Sequence, residues 1–141
     1  MKIYFDENTS PQLAHGLKTL QEPLSLKENE QVEVIYLPDE FGKGAKDEEW
    51  IPKLGAIGAV IITHDLNIHR NRSQRELYMT HGLGAFFFSP PSKNGFGYWE
   101  FVQQVIKRWD EIKKLSSSKA KRPFAYRYTI RSNKAEPIPI Q

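Results

Sequence analysis

The chain contains no cysteine, which excludes disulfide staples, zinc–thiolate sites and a thiol nucleophile. That fits a reducing compartment, and a cytoplasmic protein is expected. No apolar run approaches the roughly 20 residues a bilayer-crossing helix needs, and no basic-then-apolar leader opens the chain, so no membrane role is expected. Internal repeats are also missing. What is present is 39% apolar content with 8 Phe, 6 Tyr and 3 Trp in 141 residues, enough for one domain with a true core.

Charge is nearly balanced in total but not along the chain. Residues 1–65 carry six Lys and Arg against twelve Asp and Glu, and residues 66–141 carry fourteen against five, so the net +3 joins a −6 block to a +9 block. Opposite blocks within one domain suit an acidic site beside a basic surface, where a cation and a polyanion meet. For any single residue, a solvated face of mixed charge is the better explanation.

Ala59-Val-Ile-Ile-Thr-His-Asp65 is an apolar, β-branched run that stops on polar residues, as does Lys2-Ile-Tyr-Phe5 before Asp6-Glu7-Asn8. Both predict buried strands ending in a carboxylate. Between them, Ser10-Pro11 is a helix start, and Leu13, Leu17 and Leu20 recur at helical spacing over residues 10–20. Residues 22–31 read as a loop, 32–37 as a strand, and Pro38-Asp39-Glu40 as the start of a long Gly- and Lys-containing loop. Asp47 is the expected N-cap of a second helix with Trp50, Ile51 and Leu54 facing inward, although Pro52 argues for a start one or two residues later. Residues 66–79 read as loop then helix, 84–89 as a fourth strand, and 98–115 as the most regular helix of the chain. Phe124, Tyr126 and Tyr128 alternate with basic residues in an expected edge strand before a Pro-rich tail.

This alternation predicts an α/β fold with a mostly parallel sheet of about five strands between helical layers. If the first strand is central, flanked by the second and third, Asp6 and Asp65 meet where the strand order reverses, the usual ligand crevice of such sheets. Two carboxylates about 4 Å apart repel by roughly 4 kcal/mol at an effective dielectric near 20, so a cluster with Asp47 added calls for a cation. All-oxygen ligands favour Mg²⁺ or Mn²⁺, which suits metal-activated hydrolysis of a phosphodiester.

The Asp6-Glu7-Asn8 strand end, the Asp47-Glu48-Glu49 helix start and Thr63-His64-Asp65 together resemble the PIN-like ribonuclease superfamily, in particular its small branch of VapC-type toxins. Arg122-Pro-Phe-Ala-Tyr126 is similar to a segment of the same branch. The resemblance implies a three-layer α/β/α domain that cleaves RNA endonucleolytically with Mg²⁺ or Mn²⁺, as the toxin of a toxin–antitoxin module with an antitoxin protein as partner. It implies that Asp6, Asp47 and Asp65 are catalytic metal ligands, with Glu48 competing for the place of Asp47. Asn8, Thr63 and Asn67 then support the site, Asn67 standing where many PIN domains carry a further Asp or Asn, and Arg70 and Arg72 meet RNA phosphates as guanidinium forks. Residues 1–115 are expected to form the nuclease core, and 116–141 a basic, aromatic extension with the edge strand and a flexible tail. A homodimer is a further partnership the reading leaves open.

Plain structural roles compete with these. Asp6 can end a strand through an Asx turn, Asp47 can simply cap a helix, and the arginines can be a solvated face. The Lys119–Arg131 aromatics either stack single-stranded bases or pack inward from an edge strand. Two other function classes fit the acidic pattern: a receiver-like phosphoacceptor domain, and a non-catalytic RNA- or protein-binding module on the same scaffold.

Overall fold

The computed structural model describes residues 1–28, 30–64 and 72–138, with 72–75 described by backbone alone. Its elements are β1 (Lys2–Phe5), α1 (Pro11–Gln21), a 3-10 turn (Glu22–Leu24), β2 (Glu33–Tyr36), α2 (Leu37–Phe41), α3 (Asp47–Ala56), β3 (Val60–Thr63), α4 (Arg72–Thr80), β4 (Gly84–Phe88), α5 (Tyr98–Leu115), β5 (Phe124–Tyr128) and β6 (Glu136–Pro137). The strands form one sheet in the order β2-β1-β3-β4-β5-β6, parallel throughout except for the antiparallel β6. As expected, β1 lies between β2 and β3.

Strand periodicity sorts the core into two layers. Ile3, Phe5, Val60, Ile62, Phe86 and Phe88 face α1 and α5, meeting Leu13, Leu17, Phe101, Val105 and Ile112. Tyr4, Ile61, Ala85 and Phe87 face the other way, toward Trp50, Ile51 and Leu54 of α3 and Tyr78 of α4. The result is the three-layer α/β/α arrangement. Helix α5 and helix α4 lie on opposite faces although β3→β4 and β4→β5 step in the same direction across the sheet. The β4-α5-β5 connection therefore has the opposite hand to the three before it, against the strong preference for one hand.

Local chemistry explains the element ends and the departures from expectation. The Ser10 hydroxyl accepts from the Leu13 N–H at 3.4 Å and Pro11 takes the first helical position of α1. The stretch read as the start of a loop after β2 is instead the short helix α2. Asp39 and Glu40 in its first turn complement the helix dipole, Leu37 is buried, and Gly42, at φ +83°, ends it. Helix α3 starts at Asp47 with Lys46 as N-cap, so Asp47 is the first helical residue and not the cap, and Pro52 lies inside the helix. Burial of Trp50, Ile51 and Leu54 around it outweighs the one backbone bond Pro52 forgoes.

β5 is not an edge strand. Arg127 and Tyr126 pair with Glu136 and Pro137 of β6, and the Ile138 N–H donates to the Ala125 carbonyl at 2.9 Å, so part of the expected tail closes that side of the sheet. A two-residue strand containing proline leaves too little pattern to read from sequence. Phe124 and Tyr128 are buried and Tyr126 stacks on Phe86 with ring centroids 5.6 Å apart, so the aromatics of this segment pack inward. Arg122 secures the approach to β5: its guanidinium donates to the carbonyls of Ser116, Ser117, Ala120 and Gly58 at 2.8–3.2 Å and lies over the Phe124 ring. Among the described residues, no helix is long and apolar enough to cross a membrane.

Candidate active site at the carboxyl edge of the sheet

The strand order reverses at β1, and Asp6 follows its last residue. The Asp6 N–H donates to the Ile62 carbonyl at 3.0 Å, which ties the acidic turn to β3. Among the described residues, Oδ1 of the carboxylate accepts from the Glu7 N–H at 2.8 Å and Oδ2 from the Thr63 hydroxyl at 3.0 Å. Thr63 is fully buried, and its oxygen accepts from the Asn8 side-chain amide at 3.1 Å. Asp6 and Asn8 thus form one hydrogen-bonded group with Thr63, which is 57 and 55 residues away in the chain. A charge-assisted bond from a buried hydroxyl holds the carboxylate in one orientation.

Glu7 serves the loop that leads to α3. Its carboxylate accepts from the Gly44 N–H at 3.0 Å, and its carbonyl accepts from the Tyr36 hydroxyl at 3.1 Å. Gly42 and Gly44 have φ of +83° and +73°, a backbone that favours glycine. This contact ties the loop that precedes α3 to the turn after β1. Asp47, three residues beyond Gly44, is half-buried, whereas Glu48 and Glu49 are exposed. On the α2 side, the Tyr4 hydroxyl donates to Glu40, and burial together with that neighbour pushes the phenol above its ordinary range. His15 pairs with Asp39 at 2.6 Å on the surface.

His64 is half-buried and its ring stands edge-on to Phe101, 4.9 Å between centroids, and to Phe96 at 5.9 Å. Of the other expected site residues, Asp65, Asn67 and Arg70 are outside the described residues, and of Arg72 only the backbone, at the start of α4, is described. Among the described residues, no three His, Asp or Glu side chains converge as a metal cage requires. The donors at hand, a carboxylate and an amide oxygen at Asp6 and Asn8 with the Asp47 carboxylate on the neighbouring helix, are all hard oxygens, which fit Mg²⁺ or Mn²⁺ better than a softer metal. Tyr98 and Trp99, at the start of α5, are exposed.

Among known proteins, no curated protein and no solved structure matches the chain. A family model does: the model described as PIN like domain matches residues 1–90, which contain the first four strands and every carboxylate of the expected site. The chain therefore belongs to the PIN-like domain family.

Proposed function

We propose that the protein is an endoribonuclease that hydrolyses RNA phosphodiester bonds with Mg²⁺ or Mn²⁺, and that it is the toxin of a toxin–antitoxin pair. The observation that carries this reading is the Asp6 carboxylate, fixed by the buried Thr63 hydroxyl at the strand-order reversal of a PIN-like chain. In this reading Asp6, Asp47 and Asp65 hold the metal, with Glu48 in place of Asp47 as the variant assignment. Such an ion lowers the pKa of bound water and stabilises charge on the transferring phosphoryl group. The chain's own work is positional. Thr63 and Asn8 orient Asp6, Glu7 anchors the loop that leads to Asp47, and Arg70 and Arg72 pair with backbone phosphates of the RNA.

Incubating the purified chain with single-stranded and structured RNAs in Mn²⁺, with and without EDTA, tests the activity. Cleavage that needs the metal and falls by at least about 10²-fold in Asp6→Asn and Asp65→Asn supports it. Cleavage that persists in EDTA, or in both variants, overturns it. The toxin assignment predicts growth arrest on induced expression that Asp6→Asn relieves.

A further inference from the structure

We infer that the face shared by α1 and α5 is where a second copy of this chain docks, each copy seating its Trp99 in the other's groove about a two-fold axis. This goes beyond the nuclease reading and does not depend on it.

The lining of the groove fixes the chemistry of its occupant. Helices α1 and α5 cover the same side of the sheet, and a groove of about 210 Å³ runs between them, with Gly16, Leu17 and Leu20 on one wall and Trp99, Val102 and Ile106 on the other. None of the described residues that line it is charged, in a chain where 26% are, so it offers nothing to a polyanion. Depletion of charge together with exposed Trp and Tyr is the composition of a protein interface core. Trp99 is 70% exposed and Leu20 66%, with Tyr98 and Ile106 half-exposed, so both walls hold large apolar side chains in water. From those exposures the four present roughly 500 Å² of surface. A stable homodimer buries about 800 Å² per partner, of which about 65% is apolar, so this one face supplies roughly what such an interface needs.

Shape favours a second copy over a foreign helix. A Cβ built on Gly16 meets nothing within 4 Å, so the α1 wall is hollow at mid-helix. A cavity of about 150 Å³ accepts benzene, so a groove of about 210 Å³ has room for an indole. The face therefore carries one projecting ring and one hollow that a ring can fill. In a two-fold pair each contact is made twice, so both features are used and the assembly closes. A foreign helix would fill the hollow but would also have to bring a hollow of its own for Trp99. The groove is shaped before docking: the Trp109 indole donates to the Gln21 side chain at 3.0 Å, and Lys113 pairs with Glu28, which pins the end of α1 to α5. Little ordering cost then falls on association. Tyr98 and Val102 also border a neighbouring hollow of about 270 Å³ with Phe96 and Phe101, so the apolar surface continues around the start of α5.

Sedimentation equilibrium of the full chain from low to high micromolar concentration, without RNA or added metal, tests the proposal. A monomer–dimer equilibrium is expected, with tryptophan emission moving to the blue as the dimer forms. That shift reports Trp99, since Trp50 and Trp109 are 3% and 8% exposed and already out of water. Trp99→Ala should weaken association by at least about 30-fold, the loss of a central aromatic anchor. Ile106→Arg should abolish it by setting a charge in the groove. Both positions are exposed, so both variants should keep the circular dichroism of the wild-type fold. Ile57→Ala, an exposed apolar residue beyond the end of α3 on the other side of the sheet, should leave the equilibrium unchanged. A chain that stays monomeric throughout overturns the proposal, as does a dimer that survives both Trp99→Ala and Ile106→Arg. Species that keep growing past the dimer overturn it too, because a two-fold pair leaves no groove open.

Discussion

Replacing Thr63 by valine removes one hydroxyl and keeps the shape of a side chain that is fully buried at the end of β3. Among the described residues, the change deletes the hydrogen bond to the Asp6 carboxylate at 3.0 Å and the contacts with the Asn8 side-chain amide at 3.1 and 3.3 Å. A bond to a charged group contributes about 1.5–3 kcal/mol and a neutral one about 1, but Asn8 is exposed and water replaces its partner. Burying a methyl in place of a hydroxyl returns part of the loss, so the net destabilisation should be about 1–2 kcal/mol by denaturant titration. The larger effect should fall on the site. Groups that orient a metal ligand typically change metal affinity or activity by about 10–100-fold, so Mn²⁺ affinity by calorimetry and RNA cleavage should both drop in that range. Thr63→Ser keeps the hydroxyl and should retain most of both. The reasoning is refuted if Thr63→Val binds Mn²⁺ and cleaves as wild type does, or if serine and valine lose equally.

Two glycines should respond in opposite ways to alanine. A Cβ at Gly55 would lie 2.0 Å from the His81 carbonyl oxygen, a backbone atom that cannot yield, so Gly55→Ala should destabilise by at least about 2 kcal/mol in chemical denaturation. Gly16 lies within α1 with open space around it, so Gly16→Ala should stabilise by up to about 1 kcal/mol in the same assay. Arg122→Lys should cost about 2–3 kcal/mol, because an ammonium cannot reach the four carbonyls that the guanidinium serves. Glu28 and Glu30 have lowered pKa values, through the Lys113 ammonium and the Ser118 backbone N–H respectively. A depressed carboxylate contributes stability above the ordinary carboxylate range that is lost as pH falls through its folded value. Melting temperatures of Glu30→Gln should therefore fall less steeply than wild type below about pH 4.5.

How much of this was legible in the sequence depends on the length of each pattern. The strands at Lys2–Phe5 and Val60–Thr63 were readable because β-branched and aromatic residues run unbroken to a polar stop, and α5 because its apolar stripe repeats over five turns. Helix α2 escaped because five residues containing Pro38 hold too little periodicity to outweigh the turn signal. β6 escaped for the same reason, and its existence depends on β5 offering a free edge, a tertiary fact. At the site, the expected meeting of Asp6 and Asp65 lies outside the described residues, whereas the place of β1 beside β3 followed from strand order alone. The inward packing of Phe124 and Tyr128 did not, since an aromatic–basic alternation reads the same whether a sheet face or an RNA strand receives the rings. The face of the sheet that α5 covers depends on the hand of one crossover, which no local pattern encodes.

The charge partition along the chain gains a second meaning from the fold. Part of the acidic block is spent on joining the two halves: Glu28 pairs with Lys113, Glu30 accepts from the Ser118 N–H at 3.0 Å, and between them Gln21 accepts from the Trp109 indole at 3.0 Å. These contacts lie beyond the far end of α1 and along the second half of α5, away from the carboxyl edge. What they do not use is concentrated where β1 and β2 end: Asp6, Glu7, Asp39, Glu40 and Asp47 with Glu48 and Glu49. Neutralising these residues one at a time should thus separate two kinds of acid. Glu28→Gln and Glu30→Gln should lower stability and leave RNA cleavage intact, because they stitch helix to loop. Asp6→Asn should abolish cleavage and leave stability equal or higher in the absence of metal, because it removes a charge from a crowded edge. Loss of stability in Asp6→Asn comparable to that in Glu28→Gln would mean that the carboxylate at the end of β1 is held for the fold and not for a cation.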